Sequence, residues 1–508
     1  MSAENARSTA SAHAPVAAPG RGLTWVQAWS VLPPLILVGL KLRALVSPQD
    51  FWWHLRIGEI ILRTGEIPQV DLFSFTRTGE TWINQAWGMQ ALFYAVYARA
   101  GIDGILFLHT ALIAGGYILL GCVLARRLGW VAAWGGVLAA FFVGIHDQGV
   151  RPQSVSFLLF GALVAAMELH RVGTRAPLRL APLLFLVWVN AHGGFVFGLG
   201  ALVLHAAGRC WSAAQRERTP ESVGEIRELV AIVAACGLAL AFNPQGPLGI
   251  VQYVLGFFQS DVTIVSNAEF SPLSPRSIDG VLFALSLGAL ALALRAGTRL
   301  TVDQAVSLLV FGIACAWVRR ILPWYGFLLA PVLAQSLWQH GPWIRSSARQ
   351  LRPALYVALA VLYLISSAPM FRSFASVSGD YLRRSPVEAI ARLCDQAGEG
   401  DRVFVAQEFA SLQVFRCPKT RVFIDTRMEL YPLSIWSDYF ALLNARFDWQ
   451  ELARDYELEW LLVPIPEPDD PPGRTLLDAA SESPLWTELY RDDTAALFHR
   501  ADITPTDS

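Results

Sequence analysis

The chain has 508 residues, 54% of them hydrophobic and 16% charged, with a formal net charge of −1 and a mean hydropathy of +0.41. Soluble domains run near a quarter charged, so this composition excludes a disordered chain, a basic nucleic-acid binder and an ordinary cytosolic enzyme. Six cysteines without a CxxC spacing exclude a disulfide scaffold and offer no zinc motif. The sequence reads as a polytopic α-helical membrane protein.

Residues 1–24, rich in Ala and Ser with Pro15, Pro19 and Gly20, read as a disordered cytoplasmic tail. A membrane span needs roughly 20 mostly apolar residues. About eleven such stretches follow, near 25–46, 103–124, 130–145, 153–169, 180–191, 194–209, 228–242, 279–294, 302–318, 321–338 and 352–371. No small-residue cleavage site follows the first apolar run, so that run is expected to stay as an anchor. With the N-terminus in the cytoplasm, the inner loops collect Arg126, Arg127, Arg171, Arg175, Arg179, Arg209, Arg216, Arg218, Arg227, Arg295, Arg299, Arg345, Arg349 and Arg352. The outer short loops hold only Arg151, Arg276, Arg319 and Arg320. This asymmetry obeys the positive-inside rule. The stretch 87–98 is short and follows polar Asn84 and Gln85, so it is expected as a helix on the outer surface rather than a span.

Within the membrane domain, 25–371, the first outer loop, 47–102, is unusually long, and such loops are more often functional than not. It opens with Asp50-Phe51-Trp52-Trp53-His54, and an amphipathic helix ends at Gly65-Glu66-Ile67-Pro68. Trp52 and Trp53 are expected at a headgroup boundary, where an apolar ring carries a polar N–H. From 372 to 508 the composition becomes that of a small extracytoplasmic α/β domain. A helix is predicted over 386–396, strands over 402–406, 421–425 and 460–464, a helix over 431–446, and a hairpin over 485–499 turning at Asp492-Asp493. Cys394 and Cys417 both fall in this domain; a disulfide would suit an oxidising compartment, and nothing in the sequence demands one.

The chemistry-bearing residues gather on the outer face. Asp50, Trp52, Trp53 and His54 follow the first span; His146, Asp147, Arg151 and Gln153 lie between the third and fourth; Asn190 and His192 lie between the fifth and sixth. Glu269 follows a re-entrant or surface stretch at 247–259, and Arg319-Arg320 ends the ninth span. Ionisable groups near membrane depth usually face a cavity or a partner. A carboxylate such as Asp50 suits a general base, or simply the N-terminus of the helix that follows it. Asp147 suits either a pair with Arg151 or a substrate role. The histidines suit catalysis, ligation or backbone hydrogen bonds, and Gly193-Gly194 either substrate approach or close packing. The adjacent arginines defy the charge rule and offer a guanidinium fork to a lipid phosphate, of a substrate or of ordinary headgroups.

In layout the chain resembles the C-type glycosyltransferase (GT-C) superfamily, which includes protein O-mannosyltransferases and the catalytic subunit of oligosaccharyltransferase. The first-loop pattern at Asp50-Phe51-Trp52-Trp53-His54 and the second-loop position at His146-Asp147 carry the resemblance. It is also similar to a group of bacterial membrane proteins in that superfamily, through Asp71-Leu72-Phe73-Ser74-Phe75-Thr76, Arg151-Pro152-Gln153, the segment 190–194, Glu269-Phe270-Ser271-Pro272 and the run 421–425. The resemblance implies transfer of a sugar from a polyprenyl-phosphate or polyprenyl-diphosphate carrier to a protein, glycan or lipid acceptor, on the outer face of a bacterial cytoplasmic membrane. It implies Asp50 and Asp147 as catalytic carboxylates, with Asp50 as the base that takes the acceptor's proton, and Arg319 and Arg320 as donor-phosphate ligands. Trp52, Trp53, His54, His146, Arg151, Asn190, His192 and Glu269 are implied as substrate residues. The cofactor stays open: a divalent Mg or Mn ion would find hard oxygens at Asp50, Asp147 and Glu269, and metal-free transfer is the alternative. A polyprenyl-lipid transporter, or a non-catalytic scaffold or receptor using the C-terminal domain, are the rival readings.

Overall fold

The computed structural model describes Pro33 and residues 48–144, 149–215, 219–259, 271–341, 385–446, 448–466 and 475–501. The expected tail and the expected spans at 25–46 and 352–371 lie outside the described residues.

Helix α1 (Pro48–Thr64) carries Asp50 in its first turn and Arg63 in its last, each matching the sign of the helix dipole there. It stops at Gly65, whose φ of 75° is the left-handed conformation that suits glycine. Helix α2 (Trp87–Leu128) is 42 residues long and breaks at Gly101, where φ 60° and ψ −156° exclude a side chain. The expected surface helix and the following span are thus two arms of one element.

Seven apolar or partly apolar helices follow α2 into the bundle: α3 (Trp130–Val143), α4 (Ser154–Arg171), α5 (Ala181–Val189), α6 (Phe195–Ala214), α7 (Pro220–Ala239), α8 (Gly246–Gln259) and α9 (Ile278–Arg295). Then come α10 (Val302–Trp317) and α11 (Leu322–His340). Helix α11 packs on α3, α2 on α4, α10 on α6 and α7 on α5. Aromatic rings fill the centre: Tyr117 stacks on Phe327 at 4.2 Å, and Phe160 meets Trp324 at 5.1 Å. Leu183, Leu292 and Trp317 on the outside are 62%, 69% and 70% exposed, as the lipid-facing surface of a bundle requires. Among the described residues five helical segments are long and apolar enough to cross a membrane: Trp87–Leu128, Ser154–Arg171, Phe195–Ala214, Ile278–Arg295 and Arg319–His340. The remaining expected spans are shorter apolar helices or, in α7, begin with charged turns.

The C-terminal residues form a five-stranded sheet in the order β2-β1-β3-β5-β4. Its strands are β1 (Arg402–Val405), β2 (Arg421–Val422), β3 (Trp460–Pro464), β4 (Trp486–Arg491) and β5 (Ala495–Arg500). Strands β1, β2 and β3 are parallel, and β4–β5 is the expected hairpin. Helix α12 (Val387–Gln396) and helix α14 (Leu433–Leu443) fall where the sequence predicts helices. Helix α13 (Gln407–Arg416) is unforeseen; parallel pairing of β1 with β2 demands a crossover, and α13 supplies it. Cys394 and Cys417 pair as a disulfide, with Cα atoms 5.3 Å apart.

The first loop is sewn onto this sheet. Ser74 bridges Val422 in parallel, with Val422 N–H donating to the Phe73 carbonyl at 3.0 Å and Phe75 N–H to the Val422 carbonyl at 3.1 Å. Beside it, the fully buried guanidinium of Arg427 pairs with both Asp71 and Asp425 and lies over the rings of Trp82 (4.9 Å), Phe73 (5.0 Å) and Trp53 (5.9 Å). The expectation that Trp52 and Trp53 sit at a headgroup boundary is corrected. Trp52 is fully buried beside Phe415 and Tyr97, and the Trp53 indole donates to Thr426 Oγ1 at 3.0 Å. Their apolar bodies seal α1 against the C-terminal domain.

Breaking a buried ion pair from one side leaves the partner charge uncompensated, at about 3–5 kcal/mol. Arg427→Met is expected to lose roughly that much stability and to expose the loop around Asp71 to protease, read by thermal unfolding and limited proteolysis in detergent. Alkylation of the denatured, unreduced protein is expected to label Cys122, Cys210, Cys236 and Cys315 but neither Cys394 nor Cys417.

Candidate functional site

At the end of the bundle capped by α1 and the C-terminal domain, four connections converge. Asp50, in the first turn of α1, faces Arg151 at 3.4 Å from the segment before α4. Arg320, in the short turn Arg319–Ile321 before α11, donates from Nη2 to Gln153 Oε1 at 2.9 Å. His192 lies in the turn between α5 and α6. Its electrostatic neighbours are Arg320 and Arg151, and those of His54 include Arg151 and His192. Asp50, His54, Arg151, His192 and Arg320 therefore form one group, drawn from four parts of the chain.

Both imidazoles are held neutral. His54 is stacked on Trp53 at 3.6 Å, and its Nδ1 meets the Gln90 amide at 3.1 Å. Burial first, then Arg151 and His192, push His54 well below the ordinary value. Burial, Arg320 and Arg151 push His192 down to about 3. Ser156 Oγ receives the Trp188 indole N–H at 2.7 Å and lies 2.8 Å from His192 Nδ1, which also accepts the Gly194 N–H at 2.9 Å. The two glycines make room for polar atoms. A Cβ on Gly194 would stand 2.5 Å from Ser156 Oγ, and one on Gly193 would stand 2.3 Å from the Tyr253 hydroxyl.

Other expected site residues are placed differently. Asn190 is held in scaffolding: its Oδ1 accepts from the Trp87 indole at 2.9 Å, and its amide donates to the carbonyls of Leu186 and Phe242, each at 2.9 Å. Arg319 diverges from Arg320 and pairs with Asp279 at 3.3 Å. Trp52 and Trp53 pack beneath the site rather than opening into it. His146, Asp147 and Glu269 lie outside the described residues.

Sequence reasoning missed Ser156, Gln90, Tyr253 and Glu429. Tyr253, on α8, has Arg320 and Glu429 as electrostatic neighbours, which brings a carboxylate of the C-terminal domain to the same space. Partial exclusion of water by the neighbouring protein raises the Glu429 carboxyl above the usual range. Only Ser156 had a nearby signal, in Arg151-Pro152-Gln153. Among the described residues no group of three or more His, Cys, Asp or Glu could hold a metal ion.

No family model matches the sequence, and no curated protein is significantly similar to it. Solved structures do match. The apo oligosaccharyltransferase of Archaeoglobus fulgidus aligns with a TM-score of 0.54 at 12% identity, over 87% of this chain and 69% of that one. Apo ArnT from Cupriavidus metallidurans aligns with a TM-score of 0.52 at 13% identity, over 93% of this chain and 97% of that one. ArnT bound to undecaprenyl phosphate aligns with a TM-score of 0.51. These proteins are C-type glycosyltransferases, and this chain has their fold.

Because His192 is neutral in the folded protein, the unfolded chain, titrating near 6.5, binds more protons as the pH falls from 6.5 towards about 3. Native stability from this group is complete above 6.5 and declines through that window. The stability advantage of the wild type over His192→Asn is therefore expected to narrow between about pH 7.5 and about pH 5, read as the difference in Tm between the two proteins.

Proposed function

We propose that the protein is a membrane glycosyltransferase that moves a sugar from a polyprenyl-phosphate or polyprenyl-diphosphate carrier to a protein, glycan or lipid acceptor. The acceptor heteroatom attacks the anomeric carbon and loses its proton to Asp50. The bond from the anomeric carbon to the phosphate oxygen breaks, and the lipid phosphate leaves with the bonding electron pair. Arg151 and Arg320 neutralise the charge that grows on that oxygen, where fixed cations lower the barrier most. Asp147 is proposed as a second carboxylate of the site, and Arg319 as a further phosphate contact beside Arg320. The reaction is placed on the outer face of a bacterial cytoplasmic membrane, with the C-terminal domain extracytoplasmic. The Cys394–Cys417 pair agrees with that compartment.

The observation that carries the reading is a carboxylate facing Arg151, with Arg320 nearby, at one end of a bundle that has the fold of C-type glycosyltransferases. Two structures of that fold support the choice of donor. One is ArnT bound to undecaprenyl phosphate, and the other is the Archaeoglobus fulgidus AglB complex with an inhibitory peptide and a dolichol-phosphate.

Mass spectrometry of lipids co-purifying with the protein is expected to find a polyprenyl-phosphate sugar in the wild type and to lose it in Arg320→Ala. Only bulk phospholipid in both would remove the proposed donor. Asp50→Asn is expected to keep the lipid and to lower turnover about 10²–10⁴-fold; unchanged turnover would remove Asp50 as the base.

A further inference from the structure

His192 is fixed by its neighbours in one tautomer. A backbone N–H only donates, so the Gly194 N–H at 2.9 Å makes Nδ1 an acceptor. Ser156 Oγ already receives the Trp188 N–H, which leaves its own proton for the same Nδ1. The proton of a neutral ring must then sit on Nε2. Among the described residues Nε2 has no hydrogen-bond partner. Among the described residues the charged and titratable groups around the ring are Arg320, from the turn before α11, Arg151, from the segment before α4 and itself paired with Asp50, His54 of α1, and Tyr253 of α8, whose own neighbours include Glu429. Two guanidiniums and one unpartnered N–H around the same space are the donor set of an oxyanion.

We propose that His192 is a catalytic residue of the transfer proposed above, a neutral donor whose Nε2–H binds an oxygen of the carrier-lipid phosphate between Arg151 and Arg320. The inference rests on that reading of the site. The ring cannot serve as the base, because Nε2 already holds its proton and Nδ1 is occupied as an acceptor. Protonating Nδ1 would set two N–H groups against each other, beside two arginines. Giving up the Nε2 proton would leave an imidazolate, so the hydrogen bond stabilises the leaving phosphate without a proton changing hands. Gly194 belongs to the same device: any side chain there would meet Ser156 Oγ and displace the serine that braces the ring.

Two substitutions separate the halves of the imidazole. In His192→Asn, Oδ1 replaces Nδ1 as acceptor for Gly194, while the donor at the Nε2 position is gone. In His192→Gln, the amide N–H reaches the Nε2 position. Undecaprenyl phosphate is titrated into each protein in lipid nanodiscs, with Arg320→Ala as reference. Binding by His192→Asn is expected to weaken about 10-fold with the fold retained, and binding by His192→Gln to stay within about threefold of the wild type. The pH dependence of binding is expected to be parallel in the wild type and His192→Gln, because the His192 ring does not titrate over the pH range measured and every other titratable group is common to both. Full-strength binding by His192→Asn would overturn the donor role. A binding limb present in the wild type and absent from His192→Gln would overturn the locked tautomer. No binding of the lipid by the wild type would instead overturn the phosphate site itself. Independently of any variant, ¹⁵N-histidine NMR of the wild type is expected to show a bare Nδ1 and a protonated Nε2 on one ring down to about pH 5; an imidazolium signal for that ring would overturn the proposal.

Discussion

The guanidinium of Arg427 is the point on which the architecture turns. It is fully buried, holds Asp71 of the first loop and Asp425 of the C-terminal domain, and lies against three aromatic rings. Burying a charge costs several kcal/mol unless it is paired and its remaining protons are satisfied. Two carboxylates on Nε and Nη2 and the faces of Trp82, Phe73 and Trp53 offset part of that cost here, while Nη1 has no hydrogen-bond partner among the described residues. Asp71 is itself organised by the N–H groups of Phe73 and Ser74, both at 3.1 Å, so the clasp has a fixed geometry on the loop side. Because the same loop continues α1, fixing it to the sheet also fixes the helix that carries Asp50 and His54 over the bundle.

The bundle treats its two ends differently. At the end remote from the C-terminal domain, the charges neutralise one another. Arg171 pairs with Glu168 and Asp303, His205 lies 2.7 Å from the same Asp303, and Arg209 pairs with Glu225. Such closed networks hold helix ends together and leave little charge for a ligand. At the capped end, Arg151 and Arg320 flank two neutral imidazoles, and the nearby carboxylates come from Asp50 and, in the C-terminal domain, Glu429. The proposed lipid-phosphate site lies at this end, between the two arginines.

Much of the secondary structure was legible because it depends on local chemistry. Alternating apolar residues and turn signals fixed β1, β3 and the β4–β5 hairpin, and apolar runs fixed the helices of the bundle. Helix α13 was missed because nothing in Glu408-Phe409-Ala410-Ser411 announces a helix until the parallel pairing of β1 and β2 requires a crossover. In the candidate site, Asp50, His54, Arg151, His192 and Arg320 were singled out and are brought together, whereas Asn190 proved to brace Trp87 and the end of α7. An amide at a turn looks the same in a sequence whether its partners are backbone groups or substrate.

By itself the sequence determined that this chain is an apolar helical bundle with an α/β appendage, because burial and hydrogen bonding in lipid leave few alternatives to a helix. The tertiary structure alone decided the partners. Trp52 and Trp53 look like membrane anchors until Phe415 and Thr426, more than 350 residues later, close over them. Adjacent Arg319 and Arg320 look equivalent until Asp279 takes one and Gln153 the other. The tautomer of His192 depends on Gly194 beside it and on Ser156, 36 residues away. Side-chain chemistry is written in the chain, but direction and pairing depend on which distant backbone arrives alongside.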